Sequence, residues 1–249
     1  TKDAALAFGG GPPPAPTAIA ITESYNGTSW TEVNDLNSQR AFVAGAGTYT
    51  SAIAAGGDQY SGVAESWNGT NWTSITNEPS GSNAYGGAGA DSTNALFFGG
   101  SPPSDVTRHW NGSSWTVLGT LNTPRAGLAG AGKTYTAALA IGGQPPPTKT
   151  DITESFNGTN WTEVNDLNDA RSYLGGAGTQ TSALVFGGDT PGATANTESW
   201  NGTNWTATTN LSTARLGGAS AGADNGDALY AGGSPDTAVT EEWTGPALA

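Results

Sequence analysis

Cysteine and methionine are absent from this 249-residue chain, and histidine occurs once. Without cysteine there is no disulfide, no thiolate metal site and no cysteine nucleophile. A lone histidine, His109, does not make a multi-histidine metal centre. Basic residues are scarce too: eight Lys and Arg stand against 21 Asp and Glu, giving a net charge of −13. That balance argues against nucleic-acid binding, which needs cations to meet phosphates. No apolar run nears the roughly 18 residues of a membrane-spanning helix, and the basic start and apolar stretch of a signal peptide are missing. No membrane insertion is expected. A chain that begins at Thr1 is expected to be processed or an excerpt of a longer protein.

What is present is a repeated phrase. Glu-Ser-Tyr-Asn-Gly-Thr-Ser-Trp at 23–30 returns with small changes at 65–72, 109–115, 154–161 and 198–205, and a truncated Glu-Glu-Trp-Thr-Gly stands at 241–245. Each copy follows a Gly-Gly pair, at 9–10, 56–57, 99–100, 142–143, 187–188 and 232–233. The pairs are 47, 43, 43, 45 and 45 residues apart, a period that signals a repeat architecture. Charged residues make up only 12% and hydrophobic residues 35%, a composition that would permit disorder. The nine Trp and the strict period argue for a fold.

Residues 171–209 show one repeat as four strands. Strand a is the small-residue segment after Arg171, and strand b is the apolar run closed by Gly187 and Gly188. Strand c is Thr-Glu-Ser-Trp at 197–200, and strand d begins at Trp205. Asn201-Gly202 joins c to d, because a tight hairpin turn needs positive φ at both central residues. The same reading places hairpins at Asn26, Asn68, Asn111 and Asn157, with the d-strand indoles at Trp30, Trp72, Trp115 and Trp161 and a c-strand indole at Trp67. Four antiparallel strands per repeat make a propeller blade, and thin blades must stack to bury their faces. A β-solenoid is the rival, but its coils are shorter and lack a Trp-bearing hairpin. Strand b occurs six times and strands a and d five times each. The expected fold is therefore an all-β, six-bladed β-propeller with four-stranded antiparallel blades, a single domain over residues 1–249. Its first blade lacks strand a and its last lacks strand d, and residues 245–249 are expected to fill part of that seam.

A Gly-Gly closing strand b, an aromatic on c and a Trp on d resemble the kelch repeat across nearly the whole chain. The resemblance departs in the c–d loop: only four residues lie between Trp67 and Trp72. The hairpin also faintly resembles the Asp-box turn of sialidase propellers, one residue short. The repeated Gly-Thr-Asn-Trp is similar to repeats in virion structural proteins of marine bacteriophages. That resemblance implies an extracellular or virion location and, as partners, other subunits or a surface glycan or polymer.

Comparison of the copies with one another exposes a coupled pair of positions. Strand a opens with Arg40, Asn83, Arg125, Arg171 and Arg215, while strand c of the same blades opens with Glu65, Arg108, Glu154, Glu198 and Glu241. The one blade without the Arg has also replaced the Glu. The favoured expectation is a structural ion pair in the other four blades; the rival is a ring of Arg for an anionic ligand.

The strand order puts the b–c and d–a loops on one face and the a–b and c–d turns on the other. Uniform Asn-Gly turns read as scaffold. The irregular, Pro-rich b–c loops, with Pro13, Pro14, Pro102, Pro146 and Pro147, read as a contact surface, together with Arg108 and His109 of the deviant blade. No catalytic set can be nominated, and no cofactor or metal is expected. Asp35 and Asp166 would be the acids of a glycosidase-like alternative, but they lie in near-identical polar segments that read as turns. Asn26, Asn68, Asn157 and Asn201 also form glycosylation sequons, which the hairpin requirement explains by itself. The expected function is a non-enzymatic binding or structural module. A carbohydrate-active enzyme and an intracellular kelch-type scaffold are the alternatives.

Overall fold

A computed structural model of the chain describes residues 1–11, 18–57, 62–79, 81–83, 85–235 and 238–245. Pro13, Pro14 and residues 246–249 lie outside them, and with them most of the segment assigned to the seam. Among the described residues there are strands and turns and no helix. Blade 1 holds β1 (Ala5–Phe8), β2 (Thr22–Tyr25) and β3 (Trp30–Glu32). Blade 2 holds β4 (Ala44–Thr48), β5 (Ser51–Ala55), β6 (Ala64–Trp67) and β7 (Trp72–Ile75). Blade 3 holds β8 (Gly86–Asp91), β9 (Asn94–Phe98), β10 (Thr107–Trp110) and β11 (Trp115–Val117). Blade 4 holds β12 (Ala129–Thr134), β13 (Ala137–Ile141), β14 (Thr153–Phe156) and β15 (Trp161–Glu163). Blade 5 runs through β16 (Gly175–Gly178) and β17 (Ala183–Phe186), then a small hairpin of β18 (Asp189–Thr190) and β19 (Gly192–Ala193). It is completed by β20 (Thr197–Trp200) and β21 (Trp205–Ala207). Blade 6 holds β22 (Ala219–Asp224), β23 (Asp227–Ala231) and β24 (Thr240–Thr244). The result is a six-bladed propeller of antiparallel sheets, with three strands in the first and last blades.

Position in the blade dictates composition. The inner strands β4, β8, β12, β16 and β22 touch in succession around the axis. A Cβ on Gly130 would lie 2.2 Å from the Gly87 carbonyl oxygen, so the backbones are too close for side chains there. The b strands sit between two sheet neighbours and two blades, and Ile53, Leu96, Leu139 and Leu184 are fully buried. Each such side chain contributes about 1.5–3 kcal/mol relative to exposure. In blade 1, which has no inner strand among the described residues, Leu6, Ala7 and Phe8 of β1 stay half-buried.

The aromatics interlock the blades. At each hairpin the last c residue faces the first d residue: Trp67 and Trp72 have ring centroids 5.4 Å apart, Phe156 and Trp161 4.8 Å. Indole N–H groups of c-strand Trp67, Trp110 and Trp200 donate to a–b turn carbonyls at 3.0 Å. Those of the d strands cross to the preceding blade. Trp72 donates to Thr22 Oγ1, Trp161 to Thr107 Oγ1 and Trp205 to Thr153 Oγ1, at 3.0, 2.8 and 3.1 Å. Blade 2 has Ala64 where the others have Thr, and Trp115 of blade 3 donates instead to the Thr76 carbonyl at 2.7 Å. The same bond closes the ring: Trp30 of blade 1 donates to Thr240 Oγ1 of blade 6 at 2.8 Å. Tyr25 to Glu242, also 2.8 Å, reinforces it.

Candidate functional site

The repeated Arg and Glu meet inside each blade. Arg40 Nη2 lies 2.8 Å from Glu65 Oε1, Arg171 Nη2 2.7 Å from Glu198 Oε1, and Arg215 Nη2 2.8 Å from Glu241 Oε1. Arg125 Nη1 contacts Glu154 Oε1 in the same way. Each guanidinium also donates to the carbonyl of the first glycine of its blade's Gly-Gly pair: Gly56, Gly142, Gly187 and Gly232. The second carboxylate oxygen accepts backbone N–H bonds from Asn37, Asn122, Asn168 and Ser212. Burial pushes the guanidinium groups of Arg40, Arg125 and Arg171 below their ordinary pKa, and the Glu partners push back. With the Arg side chains at 0–4% exposure, these groups face protein rather than an anionic ligand in solvent.

Blade 3 solves the same problem with the charges exchanged. Arg108 was expected at a contact surface; it is 1% exposed and its Nε contacts Glu78 Oε1. Glu78 stands six residues after its strand-d Trp, where the other blades carry buried Leu36, Leu121, Leu167 and Leu211. Its N–H makes the matching bond, to Gly62 O at 2.7 Å, as Leu36 does to Ala20 O and Leu121 to Asp105 O. The next residue is Pro79, at the position whose N–H elsewhere binds the Glu. Proline has no N–H, and Arg108 in the Glu position offers no acceptor for one. Tyr85 OH donates to Glu78 Oε2 at 2.9 Å, and its ring lies under the Arg108 guanidinium, 5.5 Å away. Burial and then Glu78 push the Tyr85 hydroxyl pKa well up.

His109 lies in mid-strand on β10, opposite Leu96 and Thr116. Its ring stacks on Tyr135 with centroids 3.9 Å apart, and Nε2 is 3.1 Å from Asn94 Oδ1. Burial lowers its pKa. The glycosidase acids serve the backbone: Asp35 Oδ1 accepts from Thr22 N at 3.1 Å and Asp166 Oδ1 from Thr153 N at 3.0 Å. Among the described residues no cluster of three or more His, Asp or Glu could hold a metal ion.

The two faces of the ring differ. On one, the hairpin Asn side chains all do one thing. Oδ1 of Asn26, Asn68, Asn111, Asn157 and Asn201 accepts from the N–H groups two and three residues on. On the other, the b–c loops diverge. Pro102, Pro146 and Pro147 are exposed, while the blade 5 loop forms its own hairpin. A Lys149–Asp189 ion pair, 2.7 Å, ties the loops of blades 4 and 5.

This second face also carries two residues that the sequence reading passed over. Phe42 and Tyr173 follow the strand-a Arg by two positions and have φ of 53° and 52°. Blades 4 and 6 have Gly127 and Gly217 there, with φ of 61° and 67°. Left-handed backbone costs a non-glycine residue about 1–2 kcal/mol. Phe42 is 54% exposed and Tyr173 36%, so burial does not offset that cost in full. Tyr173 lies over Gly127 of the preceding blade and donates its N–H to Gly127 O at 2.7 Å. The sequence signal was there to read: Arg-Ala-Gly and Arg-Leu-Gly in two blades against Arg-Ala-Phe and Arg-Ser-Tyr in two others.

No model of a known protein family matches the chain. No curated protein matches it either.

Proposed function

We propose that the chain is a non-enzymatic binding module that grips a surface polymer or a neighbouring subunit through the loop-bearing face of its propeller. The observation that carries this reading is the pair of exposed aromatics, Phe42 and Tyr173, held at backbone angles that suit glycine. Strain kept at an exposed side chain points to a role for that side chain. Separate aromatic faces among Thr, Ser and Pro loops suit the apolar side of a sugar ring, and a net charge of −13 disfavours polyanions. A surface glycan is therefore the polymer we favour. The kelch-like pattern of Gly-Gly, c-strand aromatic and d-strand Trp supports a scaffold use of the fold. The Gly-Thr-Asn-Trp phrase, in an acidic and cysteine-free chain, supports an extracellular or virion assembly. No cofactor enters this reading, because the buried carboxylates are occupied by arginines and backbone N–H groups.

A glycan array run beside a hydrolysis assay tests it. Phe42→Gly and Tyr173→Gly are each expected to weaken glycan retention at least tenfold. Phe42→Gly should leave the melting temperature unchanged or raise it, because relief of about 1–2 kcal/mol of strain exceeds glycine's entropy cost of about 0.5–1 kcal/mol. Turnover of a bound glycan that stops on changing Asp35 or Asp166 to Asn would sink the non-enzymatic reading.

A further inference from the structure

Three tryptophans occupy seats built alike. Trp72 lies against Phe8, the last residue of the preceding blade's b strand, 4.9 Å between centroids, donates to Thr22 Oγ1 and packs with Leu36. Trp161 uses Phe98, Thr107 and Leu121, and Trp205 uses Ile141, Thr153 and Leu167. The next set in the series is Phe186, Thr197 and Leu211. Instead of an indole these three line a cavity of about 160 Å³, together with Thr209 and Asn210 and with Glu241, Glu242 and Trp243 of the last blade. A cavity of about 150 Å³ takes up benzene in another protein, so an indole's six-membered ring is of the right size.

The surroundings of this seat are those of an unfilled strand position. β24 pairs with β23 on one side, and its other edge has no strand partner among the described residues. In the complete blades that edge pairs with the d strand, whose first residue faces the last of the c strand, as Trp205 faces Trp200. Thr197 is 1% exposed, yet its hydroxyl has only a long bond, 3.5 Å to Ala195 O. Glu241, the partner of Arg215, is 24% exposed, whereas Glu65, Glu154 and Glu198 are at 0–2%.

We infer that this cavity and the edge of β24 that no described strand covers together form a receptor for one added β-strand of the type Trp-Thr-Xaa, supplied by polypeptide outside the 249 residues. Its indole enters between Phe186 and Leu211 and donates to Thr197 Oγ1. Its backbone pairs antiparallel with β24, with the Trp opposite Trp243, and the strand covers Glu241. Strand addition of this kind draws affinity from main-chain bonds and specificity from the side-chain pocket. The inference stands on the repeat geometry of blades 1–5 and does not depend on the proposed glycan face.

The test adds a blocked peptide, Thr-Asn-Trp-Thr-Glu-Val-Asn, the sequence of residues 159–165, carrying fluorotryptophan, to the intact chain. The expected result is a saturable ¹⁹F shift that is lost when the peptide Trp is replaced by Ala. Thr197→Val should weaken binding about fivefold, the worth of one hydrogen bond. Thr153→Val, whose seat is already filled by Trp205, should leave peptide affinity unchanged. To remove the entropic handicap of a short peptide, the same strand is also encoded after Gly245 through an Asn-Gly turn. It should raise the melting temperature, and its Trp→Ala version should not. No peptide shift together with no gain on fusion would overturn the inference, as would equal effects of Thr197→Val and Thr153→Val. Dimerisation of the chain alone, abolished by Thr197→Val, would assign the seat to a second copy and overturn it too.

Discussion

Blades 3 and 5 differ at four linked positions and reach the same end. Blade 5 buries Arg171 against Glu198, with the Asn168 N–H on the carboxylate and the preceding Leu167 in the apolar core. Blade 3 has Ser82 for the Arg, one residue before the Asn83 expected from the sequence: the Ser82 carbonyl accepts from Gly57 N as the Arg125 carbonyl does from Gly100 N, and Asn83 bridges to Ser101 as Ala126 does to Gln144. Arg108 stands for the Glu, Glu78 for the Leu and Pro79 for the Asn. The cation at the Arg site is removed, the anion at the Glu site becomes a cation, and a new anion stands at the Leu site, so one buried cation and one buried anion remain. What the blade requires is a neutral, hydrogen-bonded pair at the end of strands a and c. An isolated buried charge costs far more than the pair gains, so the positions change together or not at all.

That comparison ranks the expected losses. Arg108→Glu should be worst, because it buries a second carboxylate beside Glu78 in place of a cation. Denaturant unfolding should show a loss above about 5 kcal/mol or no folded protein. Arg171→Ala should cost about 3–5 kcal/mol by leaving Glu198 uncompensated. The double change with Glu198→Ala should cost less than the sum of the two singles, and additive losses in that cycle would deny the coupling. Glu241→Ala should cost less than Glu198→Ala, because its carboxylate is 24% exposed and water takes over part of its role.

The smallest effect concerns His109. Its folded pKa lies below the ordinary 6.5 because of burial, so the unfolded chain binds the proton more readily. This contributes stability that is present above pH 6.5 and lost as pH falls below it. Unfolding midpoints between pH 7 and 5 should fall less in His109→Gln than in the parent chain.

Much of this was legible in the sequence. The 43–47-residue spacing of the Gly-Gly pairs, the Asn-Gly hairpins and the aromatic positions specify a propeller of six blades with two short ones. Arg171 and Glu198 were visible as a coupled pair because they repeat in register. Glu78 was not, because it replaces a leucine and was compared with no charged column. The Thr22–Trp72 bond was hidden for a different reason: its partners are 50 residues apart and belong to different blades. Phe42 and Tyr173 stand where two other blades carry Gly127 and Gly217, a contrast present in the sequence, and their φ angles turn it into a statement about strain. Arg108 shows the limit of reading function from deviation. A residue that departs from its repeat marked a second structural solution, and the solvent-facing oddities lay elsewhere.

The most direct test is to rewrite blade 3 in the language of its neighbours. Unfolding free energies are measured for Arg108→Glu alone and for the combined Glu78→Leu, Pro79→Asn, Ser82→Arg and Arg108→Glu variant. If the blade requires a pair rather than particular residues, the fourfold variant recovers to within about 1 kcal/mol of the parent chain, while the single change loses about 5 kcal/mol. A fourfold variant as unstable as the single one would contradict the account.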